Sequence, residues 1–207
     1  MNKDFIIEII AVVISVLAVL LTIRQSLWGW ILGITGCILY IYIFSTANLY
    51  GNMSLQVVFI INSLAGIYNW KYGAKDKPQL PLSRLNKMEK VLFPFAIIIL
   101  TGIIIWLFNK LSLNHLYIQH KLNYAFILDS FSAGMCLVAQ FFLIKKRIEN
   151  WLIWAFNDFM CVFLFAYQNI YFTAALYGLL AVMATNAYFS WKKSFYMQIV
   201  QNQPLMR

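Results

Sequence analysis

The chain of 207 residues is 62% hydrophobic and 11% charged, with a mean hydropathy of +0.73. Soluble domains sit near half apolar and about a quarter charged, and so few charges cannot cover this much apolar surface in water. That excludes a soluble enzyme, a disordered chain and a disulfide scaffold, and it gives the net charge of +9 a better use than nucleic-acid binding, namely orientation in a membrane.

A membrane-spanning helix takes about 20 apolar residues. In chain order the apolar runs predict seven, at Phe5–Ile23, Leu27–Phe44, Leu55–Trp70, Val91–Phe108, Asn123–Ile144, Trp151–Tyr167 and Thr173–Trp191. Unbroken runs such as Ala96–Leu100 do not alternate as barrel strands do. The first run is no signal peptide, because Lys3 is offset by Asp4 and no small-residue cleavage site follows. The expected fold is an all-α integral membrane protein with a first three-helix bundle at 1–70. A cytoplasmic loop, a linker helix (91–108) and an outer loop fill 71–122. A second three-helix bundle occupies 123–191, and a cytoplasmic tail 192–207.

Seven spans sort the basic residues. One side receives Arg24, Lys71, Lys75, Lys77, Arg84, Lys87, Lys90, Lys145, Lys146, Arg147, Lys192, Lys193 and Arg207, and the other only Lys3, Lys110 and Lys121. By the positive-inside rule the rich side is cytoplasmic, which puts the N-terminus outside and the C-terminus inside. Trp28, Trp30, Trp70, Trp106, Trp151, Trp154 and Trp191 cluster near span ends, as interfacial anchors do. Anchoring is a sufficient role for Trp106 and Trp191. Cys37, Cys136 and Cys161 all fall inside spans, odd in number and without CxxC spacing, so neither metal site nor disulfide is indicated.

Sliding the sequence on itself by 121 positions brings Trp30, Asn48, Tyr50, Trp70 and Lys71 onto Trp151, Asn169, Tyr171, Trp191 and Lys192, in order and without a gap. The pattern reads as three helices, a linker helix and three helices again. An odd linker makes the two halves parallel, an arrangement in which small transporters hold substrate between the halves near the midplane.

Polar side chains inside spans face a bundle interior or a watery path. Asp129, Ser132, Cys136 and Gln140 form one stripe at helical spacing, and Trp151, Trp154 and Asp158 another, with Asn157 beside it. Gln56 and Ser63 lie two turns apart with Asn62 adjacent, while Trp30, Tyr177 and Asn186 complete the candidate set. Tyr177 and Asn186 do not share a face of an ideal helix. Aromatic rings, amides and one or two carboxylates, with no buried Lys or Arg, suit a flat neutral or cationic ligand rather than a phosphate-bearing one. His115 and His120 fall in the outer loop, no Lys lies between Thr173 and Ser190 to form a retinal Schiff base, and no P-loop occurs. The spans lack a nucleophile–base pair, so an enzyme is not expected.

The segments Lys145–Phe159 (KKRIENWLIWAFNDF) and Gln168–Tyr177 (QNIYFTAALY) resemble the PnuC family of bacterial vitamin transporters. So do Asn48–Phe59 (NLYGNMSLQVVF), the Tyr68–Trp70 helix terminus and Leu128–Gln140 (LDSFSAGMCLVAQ). The resemblance implies a SWEET-like fold of two parallel three-helix bundles plus a linker helix, commonly trimeric, in the bacterial cytoplasmic membrane. It implies facilitated diffusion of an unphosphorylated vitamin, trapped afterwards by a cytosolic kinase, with no cofactor. By motif match it carries over Gln56, Asp129, Gln140, Trp151, Trp154, Tyr177 and Asn186 as substrate-binding residues. Asp158 stands where nicotinamide-riboside members can show Asn. A carboxylate there favours a cation, which nicotinamide riboside and thiamine both are and riboflavin is not. Nicotinamide riboside is the expected substrate, thiamine the alternative, and proton coupling through Asp129 and Asp158 a further one.

Overall fold

The computed structural model describes residues 3–46, 50–73, 80–110, 124–167 and 171–201. Asn48, Lys75, Lys77, His115, His120, Lys121, Asn123, Gln168, Asn169 and Arg207, used above, lie outside the described residues. Within them the chain forms seven helices: α1 (Lys3–Ile23), α2 (Trp28–Thr46), α3 (Tyr50–Tyr72), α4 (Lys87–Lys110), α5 (Tyr124–Ile144), α6 (Asn150–Tyr167) and α7 (Tyr171–Gln201). Helices α1, α2, α4, α5 and α6 are long and apolar enough to cross a membrane by composition alone. The more polar α3 lies against α2 and α5, and α7 against α6 and α1, so protein rather than lipid covers part of each. Helix α3 starts five residues before the apolar run at Leu55. Helix α7 continues past Trp191, so the expected tail is helical as far as Gln201, with Phe195 packed on the core and no Gly or Pro before Pro204.

Helices α1, α2 and α3 pack in succession, as do α4, α5, α6 and α7, and the two groups meet through α3 on α5 and α1 on α7. At Gly134 of α5 a Cβ would stand 2.8 Å from Thr101 Oγ1 of α4, so the bare backbone is what lets these helices approach. Helix ends from both groups converge at one end of the bundle. There the Trp191 indole donates to the Ile23 carbonyl (2.8 Å), the Trp70 indole to the Leu143 carbonyl (3.1 Å), and Asn69 Nδ2 to the Ile144 carbonyl (2.8 Å). Arg24, Lys71, Arg84, Lys87, Lys90, Lys145, Lys146 and Arg147 sit on the helix ends and turns gathered here, and Lys192 and Lys193 follow Trp191 within α7, making this the basic end.

Two turns at the basic end are built alike. After α1, Gln25 adopts φ 58°, its N–H bonds the Thr22 carbonyl (2.9 Å) and the Ser26 N–H bonds that of Leu21 (2.9 Å). After α5, Lys146 adopts φ 50°, its N–H bonds the Leu143 carbonyl (2.9 Å) and the Arg147 N–H bonds that of Phe142 (2.8 Å). Both are Schellman caps with a non-glycine residue in the left-handed position. They lie 121 residues apart.

The strap leading into α4 is fastened to the second of these turns. Ser83 N–H bonds the Lys146 carbonyl (3.0 Å) and Ile148 N–H the Ser83 carbonyl (2.9 Å). Glu149 takes Arg84 Nε (3.1 Å) on one oxygen and the Leu85 N–H (2.9 Å) on the other, while Arg147 bonds Glu89 (2.7 Å). Asn86 and Glu89 close a reciprocal capping box at the start of α4.

Candidate functional site

The tryptophans assigned to span ends divide into two kinds. Trp28 and Trp106 are exposed, as interfacial anchors require. Trp30, Trp70, Trp151 and Trp191 are buried together instead, which corrects the anchoring role expected for Trp191. Their rings form a chain: Trp30 meets Trp70 edge-on at 5.3 Å, Trp70 meets Trp191 at 6.1 Å, and Trp191 meets Trp151 edge-on at 5.4 Å. Gly66 provides the seat for Trp30, since a Cβ there would stand 2.6 Å from the indole ring. Half-buried Trp154 packs against this cluster and also against the second core beneath α4 and α5.

The indole N–H groups are used differently within the four. Those of Trp70 and Trp191 bond backbone carbonyls across the seam between the two groups of helices. Those of Trp30 and Trp151, also 121 residues apart, are buried with no hydrogen-bond partner among the described residues. A buried donor left unpaired is costly, so these two indoles differ from Trp70 and Trp191 in having their hydrogen bonding incomplete among the described residues.

Further along α6, about 12 Å from its first residue by helical rise, lies a polar centre. Asn157 and Asp158 are both buried. Ser132 Oγ of α5 donates to Asn157 Oδ1 at 2.8 Å and lies 3.7 Å from Cys161 Sγ, while Asn157 Nδ2 is 3.7 Å from Cys136 Sγ. Among the described residues no Lys, Arg or His forms an ion pair with Asp158. Half-buried Tyr177 of α7 stacks on Phe165 of α6 at 5.1 Å.

The structure thus brings together Trp30 and Trp151 with Trp154, and Asn157 and Asp158 with the region of Tyr177. Gln56 and Asn62 on α3 and Gln140 on α5 are half-buried on the helix pair that joins the two groups. Asp129 is exposed. Asn186 is exposed too and, with Thr185, Phe156 and Phe159, lines a groove of about 470 Å³ between α6 and α7. It stands apart from the polar centre.

The sequence reading missed Trp70, Lys146 and Gln25. The expectation of no buried Lys or Arg holds inside the helices but not in the α5–α6 turn, where Lys146 is 1% exposed. Its ammonium lies 4.6 Å from the Trp70 ring centroid and 3.3 Å from Gln25 Oε1. Burial pushes its pKa down to about 8. The signal in the sequence was the 121-residue offset itself, which aligns Gln25 with Lys146.

Comparison with known proteins matches residues 5–193 to the family model described as nicotinamide mononucleotide transporter. The chain is 23% identical over 205 residues to the nicotinamide riboside transporter PnuC of Escherichia coli (strain K12), covering 91% of this chain and 85% of that protein. The same figures hold for the PnuC of Shigella flexneri. The crystal structure of the vitamin B3 transporter PnuC superposes with a TM-score of 0.72 at 20% identity, over 95% of this chain and 84% of that one. The seven-helix fold is therefore shared with that transporter.

Proposed function

Because this chain belongs to the nicotinamide mononucleotide transporter family, we propose that it is a carrier of nicotinamide riboside, the unphosphorylated nucleoside, by facilitated diffusion. The observation that carries this substrate is Asp158, a buried carboxylate at mid-helix with no cation paired to it among the described residues. A pyridinium ring supplies the missing positive charge, whereas a phosphate would bring a second anion. Trp30, Trp151 and Trp154 offer aromatic faces, and the two unpaired indole N–H groups offer donors to ribose or carboxamide oxygens. Gln56, Asn62, Gln140, Asn157 and Tyr177 supply further polar groups. The relatives named for nicotinamide riboside support this reading over the mononucleotide in the family's description.

The reading includes two parallel halves that rock about the site. Three pairs 121 residues apart support the repeat: the left-handed caps Gln25 and Lys146, the unpaired indoles Trp30 and Trp151, and the seam-crossing indoles Trp70 and Trp191. The gathering of basic residues at one end supports placing that end in the cytoplasm. A homotrimer in a bacterial inner membrane, with the substrate trapped by cytosolic phosphorylation, rests on the family resemblance.

The test is uptake into proteoliposomes. Nicotinamide riboside enters, its mononucleotide does not, and Asp158→Asn lowers riboside affinity about tenfold or more. Thiamine uptake with no riboside uptake would reassign the substrate, and equal uptake of the mononucleotide would remove the argument from Asp158.

A further inference from the structure

Lys146 is enclosed where the two groups of helices meet, at the end that the positive-inside rule turns to the cytoplasm. Its partners come from the other half: Gln25 from the α1–α2 turn and Trp70 from α3, both uncharged. Among the described residues no carboxylate pairs with it. Glu149, in the same turn, is occupied by Arg84 and the Leu85 N–H, and Glu89 on the strap by Arg147. Its chain neighbours Lys145 and Arg147 carry the same sign. The carbonyl end of α5 offsets part of the charge. Even so, one long bond to an amide and one aromatic face replace only a fraction of an ammonium's hydration.

We propose that Lys146 loads the closed cytoplasmic seam, so that parting of the halves returns its ammonium to water and favours the open state. This rests on reading the chain as an alternating-access carrier. The indole and amide bonds of Trp70, Trp191 and Asn69 to Leu143, Ile23 and Ile144 hold the same seam shut, and Lys146 works against them. The depressed pKa agrees in sign, since the closed surroundings disfavour the charged form. Gln25, at the corresponding place in the first half, is neutral, so the load comes from one half only.

The test replaces Cys37, Cys136 and Cys161 by Ala, adds Ile23→Cys as a reporter at the seam, and compares wild-type Lys146 with Lys146→Gln and Lys146→Met. Labelling by an impermeant thiol reagent from the basic end and the initial rate of riboside uptake are both measured. Each falls about tenfold in the variants, while the thermal midpoint rises and riboside affinity from the opposite side is not weakened. With labelling normalised to the rate of an exposed control cysteine at each pH, to remove the rise in thiolate fraction, raising the pH from 7 to 9 lowers it with Lys146 present and leaves it flat in Lys146→Gln. That profile separates a titrating load from a merely structural role. Unchanged or increased labelling in Lys146→Gln, or a lowered midpoint, overturns the proposal and makes Lys146 a clasp instead. Should Lys146→Met misfold, Lys146→Gln and the pH profile still decide. Should the unmodified protein take up no riboside, the substrate reading fails while the labelling result stands.

Discussion

Replacing each of the four buried tryptophans by Phe separates the two uses of the indole N–H. All four substitutions shrink a ring in the same cluster, so the cavity they leave is shared and cancels to first order in comparison. Trp191→Phe also strips the Ile23 carbonyl of its indole donor (2.8 Å), which costs about 1–3 kcal/mol for a buried acceptor left unpaired. Trp70→Phe costs less, about 1 kcal/mol, because the Leu143 carbonyl keeps the Lys146 N–H at 2.9 Å. Trp30→Phe and Trp151→Phe remove donors that have no partner among the described residues, and so lose no described bond. At about 2–4 °C per kcal/mol for a chain of this size, Trp191→Phe lowers the thermal midpoint by roughly 2–12 °C more than Trp30→Phe does. Riboside affinity moves the opposite way. It falls about tenfold in Trp30→Phe and Trp151→Phe, equivalent to one hydrogen bond, and stays near wild type in Trp70→Phe. Thermal unfolding in detergent and calorimetric titration on the same preparations give both numbers. If Trp30→Phe destabilised as much as Trp191→Phe and left affinity untouched, the assignment of the unpaired indoles to substrate would be refuted.

Three further outcomes follow from the geometry. Gly66→Ala drives a methyl into the Trp30 ring from 2.6 Å, so stability drops by about 1–3 kcal/mol and riboside affinity falls with it; unchanged affinity in titration would show that the seat of Trp30 does not matter. Glu149→Ala orphans the buried Leu85 N–H and releases Arg84, costing about 2 kcal/mol, most of it from the amide because Arg84 is exposed; faster limited proteolysis of the strap is the readout. Lys146 makes stability depend on pH in one window. Its folded pKa of about 8 lies below the ordinary value of 10.5, so below pH 8 both states are protonated and the folded state bears the buried charge. Between about 8 and 10.5 the unfolded chain binds more protons, and stability rises with pH. The midpoint of the wild type therefore climbs between pH 8 and 10 relative to Lys146→Gln, as parallel melts would show.

Hydropathy is a property of short stretches and adds along the chain, which is why the seven helices could be read directly. The runs at Phe5–Ile23 and Asn123–Ile144 end where α1 and α5 end, at Ile23 and Ile144, because charged or polar residues follow each. The start of α3 and the extension of α7 were less legible: Tyr50–Ser54 and Lys192–Gln201 are helical without being apolar, so no hydropathy contrast marks them. The identity of the candidate residues was legible too, since Asn157 and Asp158 are conspicuous in an apolar run. Their neighbours were not. That Ser132 rather than Gln140 bonds Asn157 depends on how far α5 and α6 are offset along their axes.

By itself the sequence determined that the chain is a bundle of membrane helices with most of its described cations at one end, because burial in lipid selects composition one segment at a time. Only the tertiary structure decided which polar groups are spent and which are free. Trp30, Trp70, Trp151 and Trp191 are the same residue type at the same kind of span end in the sequence, yet two donate across the seam and two have no partner among the described residues. Lys146 reads as one more loop cation until the Trp70 ring and Gln25 close over it. Hydrogen bonding and desolvation depend on what the other half of the molecule brings within about 3 Å, and no local pattern records that.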